Sequence, residues 1–114
     1  MKNYFSLNET SCRDNCGFDL TPDFKSDLNQ FREAMGFAMA LNSAARCIKH
    51  NAAVGGVATS EHTKGHAVDI KWDHLGAMDK FKMLAYAVVH FDGVGLSKVF
   101  LHVDKGGIKK VWFY

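Results

Sequence analysis

Apolar positions recur along the chain in two helical patterns. The first predicts a helix over residues 22–35, because Thr21 can cap it, Pro22 suits its first turn, and apolar residues follow at steps of four, three and four. Gly36 ends this helix. The second pattern predicts a helix over residues 75–91. Its apolar stripe is expected to consist of Met78, Phe81, Leu84, Ala85 and Val88.

Strand-like segments lie between these two helices. The short apolar run at residues 37–41 predicts a buried strand. Residues 66–72 alternate so that Val68 and Ile70 share one face, while Asp69 lies on the opposite face. The alternation predicts a strand with one face in the core and one face available for other chemistry.

The C-terminal part completes the predicted sheet. Residues 98–103 and 108–113 predict a closing hairpin around residues 104–107. The expected fold class is therefore α+β, a small antiparallel sheet flanked by two main helices. With 114 residues, the chain is expected to form a single domain over residues 1–114.

Between the helices, residues 48–65 are polar and glycine-rich and show no helical or strand period over most of their length. A loop of this length is uncommon in so small a domain and is typical of a functional segment. We therefore expect it to cover a site.

Composition narrows the classes of partner. Apolar residues make up 47% and charged residues 23%, as in ordinary globular proteins. The net charge of +2 comes without a clustered basic run, so no nucleic-acid partner is expected. No apolar run is long enough to cross a membrane, so no membrane insertion is expected, and the N-terminus lacks the apolar core of a signal peptide. We expect a monomer that is cytoplasmic at synthesis.

Three cysteines, Cys12, Cys16 and Cys47, cannot all pair within one chain. One disulfide with one remaining thiol, or no disulfide, are both compatible with their spacing. A zinc site made of all three is a further alternative, but it lacks the paired CxxC spacing of common thiolate sites.

Side chains that bind metals cluster at the end of this loop and in the strands that follow it. Asp69 is expected to point into the space that the loop encloses, where a buried carboxylate requires a cation. His102 and Asp104 share one strand face about 7 Å apart, and His62, just before Gly65, can close over the same point. Two imidazoles and one carboxylate form a ligand set of catalytic zinc sites, in which water takes the fourth position with a pKa of about 7. Asp104 is placed to accept its proton.

A competing ligand set uses His62 and His66, which are four residues apart like the pair of a helical HxxxH motif. Gly65 lies between them, and a strand pattern follows directly. Both features argue against a helix there, and the set with Asp69 and His102 is preferred.

These residues resemble the zinc D,D-carboxypeptidase and endopeptidase family that cuts peptidoglycan stem peptides. The shared pattern SxHxxGxAxD is present as Ser60, His62, Gly65, Ala67 and Asp69. A late strand with HxD, here His102-Val103-Asp104, follows it. Upstream, residues 42–46 are similar to the Ser-Gly-Tyr-Arg strand end of that family, although Ala44-Ala45 replaces Gly-Tyr and leaves the specificity open.

The resemblance implies a hedgehog/DD-peptidase-like zinc fold and a role for each matched residue. His62, Asp69 and His102 correspond to the ligands of one Zn²⁺ ion. Arg46 corresponds to an arginine that polarises the scissile carbonyl and stabilises the oxyanion, and Ser60 to a residue that hydrogen-bonds the substrate. Asp104 is the expected general base; the alternative is that it orients one of the metal ligands.

The expected function is that of a zinc metallopeptidase that hydrolyses an amide bond in peptidoglycan stem or cross-link peptides. The absence of an export signal suits a bacteriophage lysin, although phage and bacterial origins both remain open. A catalytically inactive peptidoglycan-binding module and a structural zinc domain are the alternatives. The bond that is cut, D-Ala-D-Ala, a cross-bridge or L-Ala-D-Glu, stays open, as does the choice between internal and terminal cleavage.

Overall fold

The computed structural model describes residues 2–13, 16–56 and 60–114. In these residues the chain forms four α-helices, one 3₁₀ helix and five strands. The helices are α1 (Leu7–Thr10), α2 (Pro22–Met35), α3 (Ile48–Ala53), the 3₁₀ helix (Glu61–Lys64) and α4 (Ala77–His90). The strands are β1 (Ala40–Ser43), β2 (Ala67–Lys71), β3 (Gly93–Leu96), β4 (Phe100–Asp104) and β5 (Lys110–Phe113).

The five strands form one sheet in the order β1-β2-β4-β3-β5. All neighbouring strands run antiparallel except β3 and β5, which pair in parallel. The prediction of an α+β fold with a small, mostly antiparallel sheet is confirmed. In the β2–β4 pair, Asp69 lies opposite His102 and Ala67 lies opposite Asp104. This register brings the predicted chemistry of two distant segments to one place.

The predicted C-terminal hairpin is wrong in its pairing. β4 forms its hairpin with β3, and β5 pairs with the outer edge of β3 instead of with β4. The reason is that β2 and β3 already occupy both edges of β4, so β5 cannot pair with β4 and extends the sheet at the outer edge of β3. β3 itself escaped prediction because two of its four residues are glycines, which are rare in strands.

Helix α2 has the predicted bounds because its ends are specified locally. The Thr21 side chain accepts a hydrogen bond from the N–H of Phe24 at 3.2 Å, and Pro22 takes the first helical position. At the other end, Gly36 adopts the left-handed conformation with a φ of 78° and donates its N–H to Arg32. These signals depend on neighbours in sequence alone.

The predicted stripe of α4 is wrong in part. Met83 and Ala87 are the fully buried residues of this helix, whereas Met78 and Phe81 are 79% and 67% exposed. Apolar residues occur on several faces of α4, so the pattern alone does not decide which face is buried. Packing decides it: Tyr86 stacks on Phe31 of α2 with 4.7 Å between the ring centroids.

The core lies between the two long helices and one face of the sheet. Fully buried members from α2, β2 and β4 are Phe24, Leu28, Phe31, Val68, Ile70, Leu101 and Val103. Each side chain of this size contributes about 1.5–3 kcal/mol on burial, so this apolar face holds the sheet against the helices. The opposite face of β2 and β4 does not pack against these helices.

Two other segments differ from expectation. Residues 48–65 are not a structureless loop, since they contain α3 and the 3₁₀ helix, with residues 57–59 outside the described part. β1 begins three residues later than predicted and is an edge strand, exposed and half-buried in alternation, because β2 is its one neighbour among the strands of the described residues. Among the described residues, no helix combines the length and apolarity that crossing a membrane requires.

Candidate metal centre

The β2–β4 pairing places Asp69 and His102 directly across from each other on the face opposite the core. Side chains alternate along a strand, so Val68 and Ile70 enter the core while Asp69 does not. The sequence predicted this division of faces. His102 is buried and Asp69 is half-buried, so both lie at the bottom of a pocket rather than on open surface.

His62 reaches the same point from the 3₁₀ helix. The Ser60 side chain accepts the N–H of His62 at 3.2 Å, and Gly65 ends the helix with a φ of 77° that favours glycine. The His62 ring is held by a 2.7 Å hydrogen bond from Nδ1 to the carbonyl oxygen of Ala44. Its Nε2 then lies 3.3 Å from Asp69 Oδ1. The carbonyl contact thus leaves Nε2 as the nitrogen that faces the centre.

His102 faces the same carboxylate with its Nδ1 atom, whereas His62 faces it with Nε2. Its Nδ1 lies 2.9 Å from Asp69 Oδ1, and its Nε2 lies 2.7 Å from Asp104 Oδ2. One ligand atom from each of His62, Asp69 and His102 lies within 4.8 Å of the other two. His66, the alternative partner of His62, is outside this group, and its Nε2 instead pairs with Glu61 at 2.5 Å.

The charges of these groups support each other. Burial would raise the pKa of Asp69, but hydrogen bonds from His102 and His62 outweigh it and hold the pKa well below its usual range. Burial would lower the pKa of His102, but its hydrogen bonds to Asp104 and Asp69 raise it. The centre therefore favours positive charge between its carboxylates.

The donor set fits a zinc ion. Two imidazoles and one carboxylate are the ligands of catalytic zinc sites, which keep a further position open. Both histidines use their remaining nitrogen for a hydrogen bond, His62 to a backbone carbonyl and His102 to Asp104. Such contacts fix the tautomer and the orientation of ligating histidines, so the arrangement matches a built metal centre.

Asp104 is almost fully enclosed and makes several hydrogen bonds. Besides His102, its carboxylate accepts the N–H of Gly93 at 3.2 Å and of Gly106 at 2.9 Å. Burial would raise the pKa of Asp104, but the hydrogen bonds from His102 and Gly106 lower it. Gly93 makes this approach feasible, because a Cβ there would lie 2.2 Å from an Asp104 oxygen. The carboxylate is thus held on the ring of His102.

Arg46 and Ser60, the two expected substrate contacts, border the same pocket as the three ligands. The pocket has a volume of about 450 Å³. The Nε of Arg46 is buried and has no hydrogen-bond partner among the residues that the structure describes. Its backbone N–H donates to the carbonyl of His62 at 3.0 Å, which ties the arginine to a ligand segment.

Other residues of the pocket were missed from the sequence. Glu61 lines it, although this residue showed no signal beyond lying next to His62. Trp112 and Tyr114 form an aromatic wall, and Trp112 lies 5.2 Å from the ring of His102. The one available hint was Gly95, since a Cβ there would lie 2.6 Å from the Trp112 ring. A glycine within a strand often marks such a close approach.

Two histidines and one aspartate that converge in a pocket of an α+β scaffold are the donor set of catalytic mononuclear zinc sites. The sequence model of the family described as Peptidase M15 matches residues 3–104, most of the chain. The chain therefore belongs to the Peptidase M15 family, as its resemblance predicted, and peptidases of this family are zinc-dependent. No curated protein matches it.

Proposed function

We propose that this protein is a zinc metallopeptidase that hydrolyses an amide bond in peptidoglycan peptides, with one Zn²⁺ held by His62, Asp69 and His102. The observation that carries the proposal is the convergence of the three donor groups within 4.8 Å of one another in a pocket. Membership of the Peptidase M15 family supports the class of reaction. When bound, zinc would polarise a carbonyl and lower the pKa of a water molecule to about 7.

Arg46 is the proposed electrophilic partner in this reaction. Its guanidinium borders the pocket, and its buried Nε leaves a donor unused by the described residues. A fixed guanidinium stabilises the negative charge that develops on a carbonyl oxygen during amide hydrolysis. Ser60, at the edge of the same pocket, is the proposed hydrogen-bonding contact for the peptide.

Asp104 remains the proposed proton acceptor, and its contacts add a second task. The hydrogen bond between His102 Nε2 and Asp104 supports a second role for Asp104, the orientation of the proposed ligand His102. Glu61 is the second carboxylate that could move a proton, since it borders the pocket as well. Burial would raise the pKa of Glu61, but hydrogen bonds from His66 and Lys64 lower it, so this residue is ionised and able to accept a proton.

The pocket is suited to a peptide that carries carboxylates. Arg46 and Lys110 contribute positive charge, while Trp112 and Tyr114 offer flat apolar surface. Stem peptides combine acidic groups with small apolar side chains, so both features have a counterpart in that substrate class. Cleavage at D-Ala-D-Ala, at a cross-bridge or at L-Ala-D-Glu is compatible with these contacts, and a lysin acting on the bacterial wall is the setting we propose.

Digestion of purified peptidoglycan tests the proposal. We expect zinc-loaded wild type to release new amino termini, His62→Ala to release none, and His74→Ala to behave like the wild type. His74 is a matched control because it is an exposed histidine on the turn after β2. Mass spectrometry of the released muropeptides would identify the bond. Equal release by wild type and His62→Ala, or release by neither, would exclude the proposed zinc peptidase.

The non-catalytic alternative gives a different result in the same experiment. A binding module of this fold would sediment with peptidoglycan but release no amino termini, whatever the zinc content. Retention of binding in His62→Ala together with inactivity of the zinc-loaded wild type would therefore favour that module.

A further inference from the structure

The fold gathers the three cysteines into one cluster, although 35 residues separate Cys12 from Cys47. The sulfur atoms of Cys12 and Cys47 are 3.7 Å apart, and the sulfur of Cys16 lies within 4.8 Å of both. Cys12 is buried, Cys47 is half-buried and Cys16 is exposed, so the cluster opens to solvent on the side of Cys16. This second group of metal-binding side chains shares no residue with the centre formed by His62, Asp69 and His102.

The spacing of the sulfurs suits a tetrahedral metal site. With Zn–S bonds of about 2.3 Å, neighbouring thiolates of a tetrahedral site lie about 3.8 Å apart. The Cys12–Cys47 separation is close to this value, and a small adjustment of exposed Cys16 would complete a three-sulfur face. Sulfur-rich tetrahedral sites select zinc and related thiophilic cations over magnesium or calcium.

Backbone N–H groups point at two of the three sulfurs. The N–H of Cys47 lies 3.4 Å from Cys12 Sγ, and the N–H of His50 lies 3.4 Å from Cys47 Sγ. Hydrogen bonds of this kind stabilise negative charge on sulfur, which a thiolate ligand carries. They also hold the two sulfurs in a fixed relation, which reduces the ordering that a metal would have to impose.

We propose that Cys12, Cys16 and Cys47 form a second metal site, which binds a thiophilic divalent cation of the zinc type and fastens the N-terminal segment to the wall of the catalytic pocket. Each thiol loses one proton on binding, and solvent completes the coordination. Cys47 follows Arg46 directly in the sequence, so the cation would anchor the backbone that presents the guanidinium. The adjacent hydrogen bond from the N–H of Ala45 to the carbonyl of Thr10, 3.3 Å long, already joins the same two segments.

Metal content under reducing conditions is the primary test. We expect two zinc ions per chain in wild type and one in each of two variants, the double variant Cys16→Ser/Cys47→Ser and His62→Ala. The single variant Cys16→Ser keeps the test decisive if the double variant does not fold, because Cys16 is exposed and its replacement leaves the core intact. It should bind the second ion at least about tenfold more weakly than wild type.

Cobalt substitution gives a readout that does not depend on activity. Wild type and His62→Ala should both show thiolate-to-cobalt charge-transfer absorption, and the cysteine variants should lose it. One metal ion per wild-type chain without that absorption would overturn the second site, and so would a Cys12–Cys47 disulfide found by alkylation and mass spectrometry in protein that takes up no further metal. A His62→Ala protein that keeps both ions would instead count against the catalytic centre alone, so the two proposals fail separately.

Discussion

The two faces of the β2–β4 pair show how one hydrogen-bonded backbone serves two purposes. Its core face carries only fully buried apolar side chains, namely Val68, Ile70, Leu101 and Val103. Its other face carries Asp69, His102 and Asp104. A register shift by one residue would exchange the faces, so the apolar packing also fixes the position of the site. Substitutions on the two faces should therefore separate stability from chemistry.

The largest effect is expected on the polar face, for Asp69→Asn. The amide has nearly the same shape as the carboxylate but lacks the negative charge that a zinc ligand provides, so zinc affinity and peptidase activity should both fall sharply. The loss of zinc affinity should be larger than the loss caused by removing a residue that only orients a ligand, which is about 10- to 100-fold. Metal titration and amino-terminus release measure the two quantities.

Asp73→Asn is the control for this variant, because Asp73 is an exposed aspartate two residues after β2. It should retain zinc affinity and activity. If Asp69→Asn bound zinc as tightly as this control, Asp69 would not be a ligand.

On the apolar face, Leu101→Ala should act on stability instead. Leu101 of β4 is fully buried in the core, and truncation of a buried leucine costs about 2–5 kcal/mol of unfolding free energy. Denaturant unfolding measures this loss. Activity per folded molecule should stay close to wild type, and a loss of activity without loss of stability would show that the two faces are not separable.

Parts of the fold were predictable because their signals are local. The bounds of α2 follow from Thr21, Pro22 and Gly36, which act on their own neighbours. The buried face of α4 and the partner of β5 depend on contacts with residues far away in sequence. Apolar residues on several faces of α4 give no preference until Phe31 and Tyr86 meet, and β5 cannot pair with β4 because β2 and β3 already cover both of its edges.

The site follows the same rule. His62, Asp69 and His102 carry the side-chain types that bind zinc, and strand alternation placed Asp69 on the correct face from sequence alone. Glu61 and Trp112 reach the pocket through tertiary contacts that no local pattern encodes. The positions of Glu61 and Trp112 in the pocket could not be predicted, because the local sequence does not indicate which distant segments the sheet brings together.

Asp104→Asn should reduce zinc affinity and activity less than Asp69→Asn does. It also distinguishes the two roles proposed for Asp104, orienting His102 and accepting a proton. Asn keeps an oxygen that can accept from His102 but loses the negative charge, so the contact is weaker and zinc binding should fall by up to about 10- to 100-fold. If Asp104 also accepts the proton, saturating zinc should leave the variant well below wild-type activity and change its pH–rate profile. Titration of activity against zinc concentration measures both effects.

Glu61→Gln is the matched comparison for that variant. It removes the other pocket carboxylate while leaving the His102 contacts in place, so zinc affinity should be unchanged and most activity retained. Full recovery of Asp104→Asn by zinc, together with inactivity of Glu61→Gln, would transfer the proton-accepting role to Glu61.

The smallest effect is expected at Asp19, another carboxylate with a lowered pKa, whose charged partner Lys25 is half-exposed. Burial would raise the pKa of Asp19, but hydrogen bonds from Lys25, from the Thr10 side chain and from the N–H of Leu20 outweigh it. A lowered pKa in the folded state adds stability that is present above the unfolded value of about 3.9 and is lost as the pH falls through the folded pKa. Because Asp19 and Lys25 are both half-exposed, water screens the pair and limits it to about 0–1 kcal/mol.

Asp19→Asn should therefore reduce the unfolding free energy by this small amount at pH 7, and the difference from wild type should shrink below about pH 4. Asn keeps a carbonyl oxygen for the Leu20 N–H, so the substitution mainly removes charge. A double-mutant cycle with Lys25→Met isolates the pair from the effects of each residue alone. A difference that persists unchanged at low pH would assign the effect to packing rather than to the ion pair.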